Sequence, residues 1–88
     1  MNASERIEHL RDRLNTGLAP VSIEIEDQSH LHAGHAGARE GKGHFRVVIV
    51  ATAFAGLSPI KCHRLVYDAV GDLLETDIHA LTIEARTP

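Results

Sequence analysis

From His44 to Thr52 the chain is apolar on both faces of a two-residue repeat, with Phe45, Val47, Ile49 and Ala51 on one face and Val48 and Val50 on the other. Such a strand belongs in the middle of a sheet rather than at its edge. Neighbours for it are present in the same 88 residues. Val21, Ile23 and Ile25 alternate with Ser22, Glu24 and Glu26, the pattern of a half-buried strand. Ile78 to Arg86 alternates too, with Leu81, Ile83 and Ala85 on one face and Thr82, Glu84 and Arg86 on the other.

Two helical patterns frame these strands. Asn2 and Glu5 form a cap and its capping-box partner, followed by Ile7, Leu10, Leu14 and Leu18 at spacings of three and four. Gly17 and Pro20 are expected to close that helix. Ser58–Pro59 reads as an N-cap with proline at the first helical position. Cys62, Leu65, Val66, Ala69, Val70 and Leu73 then make one stripe, with Lys61, Arg64, Asp68, Asp72 and Glu75 outside it. The order α-β-β-α-β predicts an α+β fold, a three-stranded mixed sheet with helices on one face, as a single domain over residues 1–88.

Between the first two strands, from Gln28 to Gly43, periodicity disappears for sixteen residues, which include four of the seven glycines and His30, His32 and His35. A connection of that length in a compact domain is functional or disordered, and three histidines favour function. Without a partner it is expected to be mobile, because it offers few apolar contacts. The first two strands should pair antiparallel. The crossover through the second helix makes strands two and three parallel. Strand three then starts at the sheet end spanned by the Gly/His segment, which places His79 beside it.

Composition narrows the function classes. Nine basic and twelve acidic residues give a formal charge of −3, too acidic for a strongly basic nucleic-acid module. Phe45, Phe54 and Tyr67 are the only aromatic residues, so a platform of stacking rings is excluded. One cysteine can form neither an internal disulfide nor a four-thiolate metal site. No apolar run approaches a membrane span, and the acidic start, with Glu5 and Glu8, is not expected to act as a signal or transit peptide. A soluble, cytoplasmic protein of a reducing compartment is expected. Protonating all seven histidines would carry the charge from −3 to +4, so a function using them should respond to mildly acid pH.

Together these residues resemble the BolA-like family across nearly the whole chain. The resemblance is carried by Asp27-Gln28-Ser29-His30, His32-Ala33-Gly34-His35-Ala36-Gly37, Gly43-His44-Phe45, Phe54-Ala55-Gly56, His63-Arg64-Leu65-Val66-Tyr67 and Ile78-His79-Ala80-Leu81. It implies a fold similar to a type II KH domain and a non-enzymatic adaptor that pairs with a monothiol glutaredoxin, sharing a bridging [2Fe–2S] cluster in iron sensing or cluster delivery. The family's C-terminal histidine ligand falls on His79. Its second ligand is a histidine or cysteine of the loop, and with no cysteine there the chain looks like the histidine subtype, with His32 the best match and His35 next.

The chemistry is coherent without the family. A cluster of this type needs four ligands, usually thiolates, and one cysteine on a helix's apolar stripe cannot hold it. No cluster is therefore expected on the isolated chain. Two imidazoles could supply half the shell, with thiolates of a partner and of glutathione completing it.

Other readings compete. His30-x-His32-x2-His35 has the donors to bind zinc, nickel or copper alone, at the entropic cost of ordering a glycine-rich loop. His30 also suits the turn begun by Asp27 and Ser29. Cys62 and His63 look like a nucleophile and base, but adjacent helical residues point in different directions. Cys62, where the family usually has arginine, reads as a small core residue. A DNA-binding regulator is the main rival, since some relatives regulate transcription. It would use the helix after Ser58, with Lys61 and Arg64 on phosphates. The Gly34-His35-Ala36-Gly37 motif lies between strands, whereas a KH domain carries it between helices. Catalysis is not expected: there is no nucleophile elbow, no phosphate loop and no carboxylate pair near the histidine cluster. A homodimer is compatible with the pattern.

Overall fold

A computed structural model describes residues 2–28 and 43–88. His30, His32, His35, the Gly34–Gly37 motif and the expected mobility of their segment lie outside the described residues. The elements are α1 (Ala3–Leu18), β1 (Ser22–Asp27), β2 (Gly43–Val50), a 3-10 turn (Thr52–Phe54), α2 (Pro59–Val70), a short α3 (Leu73–Thr76) and β3 (Ile78–Arg86). The sheet order is β1-β2-β3, antiparallel between the first pair and parallel between the second. This is the predicted α+β arrangement with β2 in the centre.

Local chemistry sets the helix starts. The Asn2 side chain accepts a hydrogen bond from the Glu5 backbone N–H at 2.9 Å, and Ser58 Oγ accepts from that of Lys61 at 3.3 Å. Each satisfies one donor that the first helical turn leaves without an intrahelical acceptor. The ends differ from expectation. Gly17 does not terminate α1 but lies inside it, where α1 crosses α2; a Cβ there would stand 2.9 Å from Ala69 Cβ. The left-handed cap falls on Ala19, with φ 44°. Gly71, at φ 63°, breaks the second helix after Val70, so Leu73 is buried from a separate turn. Arg13 holds that break from α1: one guanidinium nitrogen donates to Val70 O at 3.0 Å and the other meets Asp72 Oδ1 at 2.9 Å.

The core lies between the helices and one face of the sheet. Leu10 and Leu14 of α1, Phe45, Val47 and Ile49 of β2, and Val66 and Val70 of α2 are fully buried. Each such side chain contributes about 1.5–3 kcal/mol of burial free energy. Ile23 and Ile25 pack at the margin, whereas Val21 precedes β1 and is 68% exposed, outside the alternation predicted for it.

Candidate functional site

The sheet presents two chemically different ends. At the first, β1 finishes, β2 starts and β3 starts. Ile78 pairs with Gly43, but the next pair is His44 with Ala80, so β3 carries one residue more than β2. That extra residue is His79. A bulge of this kind takes its extra residue out of the ladder and re-aims the side chain. Ile78 is 1% exposed whereas His79 is exposed. The Gln28 N–H donates to His44 O at 2.8 Å, and the Gly43 N–H donates to Asp77 O at 3.1 Å. The described residues flanking the Gly/His segment are therefore tied to the end that carries His79.

His44 joins this end from β2. Its Nε2 and Thr82 Oγ1 share a hydrogen bond of 3.1 Å across to β3, on the sheet face away from the helices. The sequence reading singled out no role for His44, although its position at the start of a strand beside the glycine-rich segment was a usable signal. The bulge had a signal too. Along β3 the inward apolar residues run 78, 81, 83, 85, and the first interval is three rather than two. Further along the face away from the helices, Glu84 receives Arg86 Nη2 at 2.6 Å and Arg46 Nη2 at 3.0 Å. The hydrogen bond from Arg86, with the charges of Arg86 and Arg46, holds the Glu84 carboxyl below its ordinary value despite some desolvation.

The second end lies six residues further along β3, roughly 20 Å at the usual strand rise. A pocket of about 390 Å³ opens there between the end of β3 and the start of α2. Cys62 forms part of its wall and is otherwise buried, its Sγ lying 3.9 Å from the carbonyl oxygens of Phe54 and Leu57. It sits in the core cluster. Lys61 and Arg64 are exposed on the first turns of α2.

Two of the sequence-predicted features are thus far apart, His79 at one end and Lys61 with Arg64 at the other. The lone thiol is at the end away from His79. Among the described residues, no three His, Cys, Asp or Glu side chains converge on a common point, and no helix is long and apolar enough to cross a membrane.

Comparison with known proteins adds to this geometry. A family profile described as BolA-like protein matches residues 14–88. SufE-like protein 1, chloroplastic/mitochondrial, of Arabidopsis thaliana is 46% identical over 84 residues, covering 90% of this chain and 23% of that protein. The solved BolA domain of Arabidopsis SufE1 superposes with a TM-score of 0.83 at 43% identity, over 100% of this chain and 96% of that one. The DNA-binding transcriptional regulator BolA of Escherichia coli (strain K12) is 32% identical over 80 residues, 91% of this chain and 73% of that protein. The chain spans between about a quarter and just over half the length of the first curated relatives it matches. The relatives called BolA carry the names of family members or of a regulator, not of a reaction.

Proposed function

The chain belongs to the BolA-like family, and from that membership and the chemistry of its histidine end we propose that it is a non-enzymatic adaptor. Its partner is a monothiol glutaredoxin, with which it shares a bridging [2Fe–2S] cluster in iron–sulfur trafficking or iron homeostasis. The observation that carries this reading is His79, an exposed imidazole on a strand bulge, at the end where Gln28 and Gly43 border the segment bearing His32 and His35. The donors fit such a group only as part of a shared shell. Imidazole is an accepted iron ligand in [2Fe–2S] centres, but the single thiol is buried at the far end of the sheet. Thiolates must therefore come from the partner and from glutathione.

In this proposal the chain's own residues position rather than react. The bulge presents the His79 ring outward, and His32, or else His35, supplies the second imidazole. When bound, the cluster supplies redox and transfer chemistry; neutral imidazoles in place of thiolates raise its potential and make its retention proton-sensitive. A reducing compartment is required, and the cytoplasm satisfies it as an organelle interior would.

The test is to reconstitute the cluster on a monothiol glutaredoxin with glutathione, add this protein, and record visible absorption and circular dichroism. A spectral change is expected that vanishes in His79→Ala. His32→Ala and His35→Ala compared side by side identify the second ligand. The Escherichia coli relative's name supports a second reading, in which α2 contacts DNA through Lys61 and Arg64. No spectral change, together with salt-sensitive DNA retardation lost in Lys61→Ala/Arg64→Ala, would select that reading instead.

A further inference from the structure

The end of the sheet away from His79 has its own chemistry. The pocket there is lined by the apolar Phe54, Leu57, Pro59 and Ala85 and by the polar His63, Arg86 and Thr87. The apolar surface continues outward: Leu57 is 37% exposed and Ile60, on the outer face of α2, is 66% exposed. Single exposed apolar residues are ordinary. Here Leu57 lines the pocket itself and Ile60 directly follows Pro59, another lining residue, so the exposed apolar surface stands next to a concavity.

On the α2 side of the pocket the charge is one-sided. The chain as a whole carries −3, yet between Glu40 and Asp68 there is no acidic residue. That stretch includes the 3-10 turn and the first two turns of α2. Lys61 and Arg64 stand exposed beside Ile60, and among the described residues neither takes part in an ion pair. Arg86, which lines the pocket, is already engaged by Glu84, so the available positive charge is that of α2. No acidic side chain occupies the first turn of that helix, whose N-terminal dipole adds to the positive field.

We infer that this pocket is a docking site for an acidic protein segment that carries one bulky apolar side chain. The apolar side chain seats against Leu57, Pro59 and Phe54. Flanking carboxylates meet Lys61 and Arg64. A nucleic acid fits less well: its phosphates gain nothing from Leu57 and Ile60, and two cations one turn apart, followed by the exposed Asp68, neutralise few phosphates. The site lies about six strand residues from His79 and does not depend on the cluster reading.

A labelled ten-residue peptide, with one Phe flanked by Glu and Asp, would be titrated by fluorescence polarisation against the full chain. Saturable binding is expected, weakened at least tenfold in Lys61→Glu/Arg64→Glu and at least fivefold in Leu57→Ser/Ile60→Ser. A peptide with Ser in place of the Phe should lose a comparable factor. Amide shift changes on titration should centre on residues 54–64 and 85–87. All four substituted side chains are exposed, so unchanged far-ultraviolet circular dichroism is expected and separates binding loss from unfolding. Absence of saturable binding overturns the inference. So does binding that ignores the apolar substitutions, tighter binding of a short DNA duplex lost in the same charge variant, or shifts confined to residues 78–80.

Discussion

The two ends of the sheet are built by different means. At the His79 end an irregularity of the backbone does the positioning: one unpaired residue in β3 turns an imidazole out while Ile78 beside it stays in the core. At the other end the pocket is made of packing, with Phe54 and Cys62 belonging to the core and lining the cavity at once. A side chain that must reach a group held by another molecule needs exposure and little else. A cavity needs walls that do not collapse, and the core supplies them.

The difference has measurable consequences, beginning with the pocket wall. Phe54 is 2% exposed, so Phe54→Ala should cost about 3–5 kcal/mol in urea or thermal unfolding. A loss under 1 kcal/mol would mean that the pocket end is not built on the core. The helix layer between the ends comes next. In Gly17→Ala the new Cβ meets Ala69 at 2.9 Å, and overpacking of about 1–3 kcal/mol should outweigh the gain of about 0.5–1 kcal/mol from removing a helical glycine. Adding Ala69→Gly should recover most of the loss, and a double variant no better than the single one would contradict the contact.

A smaller effect is expected on the outer sheet face. Glu84 has a folded-state value below its ordinary one, so its stabilising contribution is complete above the ordinary carboxylate value and is withdrawn as pH falls through the lowered one. Glu84→Gln should therefore flatten the acid limb of the unfolding midpoint against pH and leave the neutral region's slope unchanged. An unaltered acid limb would remove Glu84 from the account. The smallest effect belongs to His79. His79→Ala should change stability by no more than about 0.5 kcal/mol, as exposed substitutions do. A loss above 2 kcal/mol would show that the bulge depends on the imidazole and erase the contrast between the two ends.

Element type and order were legible in the residues because each follows from local periodicity. The caps at Asn2 and Ser58, the centrality of β2 and the span of β3 all appear where the pattern put them. The misreadings share a cause. Gly17 looks like a terminator, but its missing side chain serves a neighbour 52 positions away, Ala69. Leu73 fits the stripe of α2 by spacing, yet Gly71 has already turned the chain. At the candidate site, the convergence of His79 with the ends of the glycine-rich segment followed from strand direction alone. The bulge at His79, the place of His44 and the pocket at the far end did not.

Periodicity, capping residues and the handedness of a crossover are local or topological, and they determined that this chain forms an α-β-β-α-β sandwich with a histidine at one end of its sheet. Register and packing join residues far apart in sequence, so only the tertiary structure decided that Gly17 is a helix contact and that Phe54, Leu57 and Ala85 line a pocket, and it fixed what the three-residue interval in β3 signals, that His79 stands outside the ladder. A bulge is a mismatch between two strands, completed only when they pair, and a cavity is space left between elements that belongs to no one segment of the chain.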